Sequence, residues 1–280
     1  FDTLYDGFIS ASTPMLTNTG TDYGMSVSCS GSYVGDSIEE FYETRKQDAL
    51  LTKEGFGTAV YLGDIRPRGS KMKNGEANGS QPVAEMFVDD AMKVSQGSAR
   101  RGASAWYYPI DGGDFDELAH YLETFTDGNN AGWCLTDEFR DKLLSGDKDA
   151  VNRWGKMLSC KGNVGSGYQF FVDKANRKAP QMYKDKGLKI KSSQLCSEIT
   201  LFSDSDNTFT CVLASENLRK YDERPKMLAF VGTVMLDCVA SDFIEKTKEK
   251  GNMERAVRFT EQSRALGYGV MAFHTYLLDH

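Results

Sequence analysis

Apolar positions recur with helical spacing in some stretches of the chain and gather into short Gly- or Pro-bounded runs in others. Ile38, Phe41, Tyr42 and Arg45 fall on one side of a helix starting near Asp36, with Asp36 as its expected cap and Glu39 and Glu40 at its positive end. That strip needs a partner, either the body of the protein or a second subunit. Residues 83–94, 114–125, 136–144 (behind a Thr136 cap), 151–158 and 255–266 also read as helices. Residues 225–244 are apolar on several sides and predict a buried core helix, with Cys238 an inert thiol inside it. Short strands are predicted at residues 25–29, ending on Cys29, and at 54–61, 105–108, 133–135 and 165–172. Residues 190–201 read as extended chain, and 267–274 as a last apolar run. At the start, residues 1–9 read as the end of a helix that Pro14 keeps from continuing, with a polar loop over 17–24.

With 280 residues, 40% hydrophobic and 26% charged, the chain can bury a large core as a soluble globular protein. A net charge of -7 argues against general affinity for nucleic acid or anionic membrane. No apolar run is expected to reach the roughly 18 to 20 residues that span a bilayer, and residues 1–3 lack signal-peptide order, so a cytoplasmic location is expected. The six cysteines stand far apart, with neither CxxC nor a Cys/His cluster, which indicates neither structural zinc nor a secreted disulfide framework.

Two loops combine glycine with arginine: residues 66–75, with Arg66 and Arg68, and residues 95–104, with Gln96, Arg100 and Arg101. Arg forks and backbone N–H groups in such loops suit phosphate, although a single solvated basic loop has the same composition. The stretch Gln194-Leu195-Cys196-Ser197-Glu198 carries a thiol with an amide two residues before it and a carboxyl two residues after it. In extended chain those three side chains share a face, which sets a sulfur, a hydrogen-bonding amide and a base on one surface. A packed Cys beside a surface Glu has the same spacing.

Further residues turn this pattern into a family resemblance. Ser12-Thr13-Pro14, Ser28-Cys29 with Gly35-Asp36-Ser37, Gly55-Phe56-Gly57, Ser95-Gln96-Gly97 with Arg100, Leu195-Cys196-Ser197-Glu198-Ile199, Cys211 with Leu213-Ala214-Ser215, and Leu266-Gly267-Tyr268-Gly269-Val270 occur in one order. Together they resemble the catalytic large subunit of ribonucleotide reductase, class I, of bacteriophage or bacterial type. The resemblance implies a ten-stranded α/β barrel of two parallel five-stranded halves, incomplete here, with residues 1–280 as a single catalytic barrel domain and no ATP cone. It implies that Cys196 becomes a thiyl radical, that Glu198 is the base at the ribose 3′ hydroxyl, and that Cys29 and Cys211 form the redox-active disulfide. Gln194 would be a further catalytic residue beside them, and Ser12, Thr13, Ser28 and Gly57 would line the substrate. Asp36, Ser37, Ile38 and Arg66 would hold a deoxynucleoside triphosphate effector, whose identity Gln96 and Arg100 would pass to the substrate site. No metal or other cofactor is expected on the chain itself. The implied partners are a ribonucleoside diphosphate, a metal-containing radical-generating small subunit, the remaining segment of the large subunit, and a second copy across the helix near Asp36.

The chain departs from the family pattern in carrying Gln194 where the family has Asn, which moves the amide by ~1.5 Å or folds it back. It also ends before the family's substrate-phosphate loop, paired tyrosines and C-terminal cysteines, so turnover is expected to need the missing segment. An adenosylcobalamin-dependent reductase shares most of these motifs. A non-catalytic fragment that binds only effector would keep the loops and lose the chemistry.

Overall fold

A computed structural model describes residues 1–94, 101–223 and 225–280. Its strands are β1 (Ile9–Ala11), β2 (Cys29–Tyr33), β3 (Thr58–Tyr61), β4 (Lys71–Met72), β5 (Gly75–Glu76), β6 (Ser104–Pro109), β7 (Asn129–Leu135), β8 (Tyr168–Phe171), β9 (Phe209–Asn217) and β10 (Leu266–Met271). β2, β3, β6, β7 and β8 run parallel in that order and form one complete five-stranded half. β9 pairs antiparallel with β2 and parallel with β10, so the second half begins at this seam. The molecule is an α/β barrel domain left incomplete, with β1 antiparallel against β9 and β4–β5 a separate hairpin.

Helices cross from strand to strand because their ends are chemically marked. The helix Ile38–Lys53 is capped by Ser37, whose Oγ accepts from Glu40 N at 3.1 Å, rather than by the expected Asp36. Thr136 caps Asp137–Leu144 as expected, and Asp147 caps Lys148–Val164, which ends on Gly165 at φ 72°.

Alternation along the parallel strands sorts their side chains into two cores. Val60, Leu62, Trp106, Tyr108, Ala131, Trp133 and Leu135 face the helices, where the Trp106 and Trp133 rings meet edge to face at 5.2 Å. Such a pair adds about 0.5–1.5 kcal/mol beyond its buried area. Ala59, Tyr61, Ala105, Tyr107, Cys134 and Phe170 face inward. Leu195, Ile199, Leu201 and Phe202 pack on that inner face, so the chain bearing Cys196 lies across the inside of the half-barrel.

Several expectations change. Pro14 sits in the first turn of a helix, Thr13–Asn18, where its missing N–H costs nothing, and the chain before it is the strand β1. Residues 25–28 are not strand, and Cys29 opens β2 instead of closing a strand, because the pairing partners Gly57 and Cys211 begin there. The long helix is Pro225–Lys250, and by length and composition its segment Lys226–Lys250, which holds an 18-residue window of mean hydropathy 1.7, could cross a membrane. In the fold it packs on β9 and β10, with Leu228, Leu236, Val239, Ala240, Phe243 and Ile244 in the core. The opposite side leaves Phe230, Val234 and Cys238 exposed, so Cys238 is not a core thiol.

Candidate active site

Three strand positions side by side make the floor of the site. Cys29 is the register partner of Cys211 on β9 and forms a parallel bridge with Gly57 just before β3. Directly paired residues of an antiparallel ladder share a face, with Cα atoms about 4.5–5.5 Å apart, inside the range a disulfide spans. Both cysteines are free thiols and buried. Residues 182 positions apart in sequence are thus set opposite each other by backbone hydrogen bonding alone.

Cys196 meets this floor from above, and not as part of an extended segment. Residues 195–197 make a turn: Ser197 N donates to Gln194 O at 3.1 Å and Ser197 takes φ 67°. The expectation that Gln194, Cys196 and Glu198 share a face therefore fails; Gln194 is buried, while Cys196 and Glu198 are exposed. Gln194 folds its longer side chain back, so that Oε1 accepts from Ile199 N at 3.0 Å and from Ser193 Oγ at 2.8 Å. Its Nε2 is buried with no partner among the described residues. Tyr107, whose ring lies over Gly132 where any Cβ would strike it at 2.1 Å, donates from its hydroxyl to Gln194 O at 2.7 Å. Leu195 seats the turn on the floor: a Cβ on Gly57 would lie 2.7 Å from Leu195 Cδ2 and 3.7 Å from Cys29 Sγ.

Electrostatics report how closely these groups gather. The Cys29 thiol is pushed far above its ordinary range, first by a hydrogen bond with Cys196, then by burial and by the neighbouring Cys211, Cys196 and Glu198. Burial, followed by Glu198 and Cys196, pushes Cys211 up to about 12. Near neutral pH both floor cysteines are therefore protonated thiols, able to give hydrogen rather than to act as thiolate nucleophiles.

Ser28 Oγ and Ser12 Oγ are buried without hydrogen-bond partners among the described residues, so each has capacity that a polar ligand would satisfy. Thr13 is exposed at the start of its helix.

Asp36, Ser37, Ile38 and Arg66 come together elsewhere, around a cavity of about 470 Å³ that Met72 and Met86 also line. Arg66 Nε donates to Asp36 Oδ2 at 2.6 Å, so two of the residues expected to hold the effector are paired with each other. Ile38 and Tyr42 remain exposed on their helix, while Arg45 pairs with Asp90. Gln96 and Arg100 lie outside the described residues. Sequence reasoning gave no role to Tyr107, nor to Leu195 within its motif. Only their position in three dimensions distinguishes them from other aromatic and apolar residues.

The model of the ribonucleotide reductase barrel domain matches residues 27–148 and 138–280. A putative ribonucleoside-diphosphate reductase large subunit of Frog virus 3 (isolate Goorha) is 31% identical over 98% of this chain and 52% of its own length. A vitamin B12-dependent ribonucleoside-diphosphate reductase of Thermoplasma acidophilum is 30% identical over 95% of this chain and 36% of its own length. The class Id ribonucleotide reductase alpha subunit of Actinobacillus ureae superposes with a TM-score of 0.90 at 37% identity, over 99% of this chain and 52% of that one. The chain thus spans about half, or less, of the length of these relatives.

Proposed function

From the premise that this chain belongs to the ribonucleotide reductase barrel family, we propose that it is part of an enzyme reducing ribonucleoside diphosphates to deoxyribonucleotides. Cys196, as a thiyl radical, takes the 3′ hydrogen of the ribose while Glu198 accepts the proton of the 3′ hydroxyl. Loss of the 2′ hydroxyl as water takes a proton from the Cys29/Cys211 pair. Those two thiols close a disulfide as their two electrons and remaining hydrogen go to C2′, Glu198 returns its proton to the 3′ oxygen, and Cys196 returns its hydrogen to C3′. The balance is one ribonucleotide and two thiols in, one deoxyribonucleotide, one water and one disulfide out. The radical itself is supplied by a metal-containing partner subunit.

The observation that carries this reading is the gathering of three sulfurs: Cys29 opposite Cys211 in the sheet, with Cys196 in hydrogen-bond contact with Cys29. The unpartnered Ser12 and Ser28 hydroxyls and the unpartnered Gln194 Nε2 support substrate binding beside them. The separate cavity at Asp36, Ser37, Ile38 and Arg66 supports a deoxynucleoside triphosphate effector, with Gln96 and Arg100 as the relay to substrate. The exposed Ile38 and Tyr42 support pairing with a second copy. The remaining segment of the large subunit completes the barrel, in the cytoplasm, or the host's cytoplasm if the source is viral. A second reading, with adenosylcobalamin as radical source, has the vitamin B12-dependent relative in its favour.

The test is reconstitution with the complementary segment and a radical subunit, with cobalamin in a parallel arm, measuring deoxynucleotide formed from ribonucleoside diphosphate. Cys196→Ser is expected to fall to background with an unchanged thermal midpoint. Retained turnover in that variant ends the assignment.

A further inference from the structure

Lys191 stands five residues before Cys196, at a point where three parts of the molecule converge. Its ammonium pairs with Asp64 and lies 4.1 Å from the centroid of the Tyr33 ring and 5.6 Å from that of Tyr61. Those two rings stack on each other at 6.4 Å. Tyr33 is the last residue of β2 and Tyr61 the last of β3. From Tyr33 the chain passes within a few residues to Asp36 and Ser37, and from Tyr61 it passes through Asp64 to Ile65 and Arg66, all four of which line the cavity. The Lys191 side chain therefore touches the roots of both cavity loops.

The chain on its other side is stiff. Asn176 brackets Ile190, donating to its carbonyl at 2.8 Å and accepting from its N–H at 3.0 Å. Cys134 Sγ donates to Lys191 O at 3.3 Å, and Tyr107 holds Gln194 O. Ser192, Ser193 and Gln194 are fully buried. A displacement of Lys191 has little slack to dissipate in before it reaches the Cys196 turn. The aromatic faces add attraction to an ion pair that, at this exposure, would hold the cation only weakly by itself.

We propose that Lys191 is a positioning residue that couples occupancy of the Asp36–Arg66 cavity to the placement of the Cys196 turn. This rests on the functional reading above. A phosphate-bearing ligand that draws Arg66 from Asp36 acts on the loop that holds Asp64, and Lys191 carries the change to the segment leading to Cys196. The contact is an element that both sites can bias, which coupling requires.

The experiment measures reduction by the reconstituted enzyme with and without a saturating deoxynucleoside triphosphate, for wild type, Lys191→Met, Lys191→Arg and Asp64→Asn, with the effector Kd of each from equilibrium dialysis. Lys191→Met keeps the aliphatic stem and loses the charge. It is expected to lose at least about fivefold of the effector's stimulation of kcat while its effector Kd stays within about threefold of wild type. Asp64→Asn is expected to follow it, and Lys191→Arg to recover most of the stimulation. Wild-type stimulation in Lys191→Met, or a loss explained wholly by weaker effector binding, overturns the inference and leaves the functional reading standing. Wild type that reduces nothing overturns both.

Discussion

Cys29 and Cys211 are held by main-chain pairing within a continuous sheet, whereas Cys196 stands on a turn whose shape depends on side chains: Gln194, Ser193, Tyr107 and Leu195. The difference follows from the work proposed for each. Two thiols that must bridge need a fixed separation, and the hydrogen-bond ladder supplies one without reference to side-chain identity. A sulfur that must reach a ribose needs an aimed position, which a turn with a left-handed residue can give only if its neighbours clamp it. Substitutions should therefore be tolerated near the floor according to whether they spare the sulfurs, and near the turn according to whether they spare the clamps.

The largest effect should come from breaking the floor chemically. Cys29→Ser and Cys211→Ser each remove half of the electron source, and turnover is expected to drop to background with little change in thermal midpoint. Peptide mapping after wild-type turnover without external reductant should recover a Cys29–Cys211 disulfide. Finding another pairing would remove the floor from the mechanism.

Gly57→Ala comes next, because it strikes both regions where they touch. The new Cβ would meet Leu195 at 2.7 Å, a side-chain end that can move, so folding should survive while the turn is displaced. A shift of about 1 Å can cost on the order of a hundredfold in kcat. Activity within twofold of wild type would show that Leu195 does not seat the turn.

Tyr107→Phe tests the clamp alone. It removes one of the two donors to Gln194 O, the hydroxyl at 2.7 Å, and leaves the Ser197 N–H at 3.1 Å, at a cost of about 0.5–1.5 kcal/mol in stability. The loss of activity should exceed that of a matched aromatic change on the helix-facing side, such as Tyr108→Phe.

The smallest effect is a pH dependence beneath the floor. Asp48, buried on the helix side of β2, accepts from Ser32 Oγ at 2.7 Å, and burial raises its carboxyl to about 7. The folded protein then holds a proton that the unfolded chain releases between about pH 4 and 7, so this group's stabilisation is present in acid and is lost as pH rises through that window. Asp48→Asn should flatten the slope of stability between pH 5 and 8 measured by urea titration. An unchanged slope would assign it to other groups.

Much of the organisation is written locally. Thr136 caps its helix because a hydroxyl before an amphipathic stretch has few better uses, and β6 reads as strand because Trp106, Tyr107 and Tyr108 are bulky, apolar and bounded by Pro109. The family resemblance put Asp36, Ser37, Ile38 and Arg66 in one set, and all four line one cavity in the fold. Other features were illegible for a physical reason. The Gln194–Glu198 stretch was read as extended chain, but among the described residues no strand pairs with it, and it turns. The exposed side of Pro225–Lys250 could not be told from its buried side, since both are apolar.

What the sequence determined by itself is therefore local and chemical: which residues bear sulfur, carboxylate and amide, where helices begin, and which family pattern these follow. Only the tertiary structure decided that Cys29 opposes Cys211, that the Cys196 turn rests on Gly57, and that Lys191 reaches the roots of both cavity loops. Those relations join residues far apart in the chain, and strand register sets them by pairing backbone groups that are the same at every position.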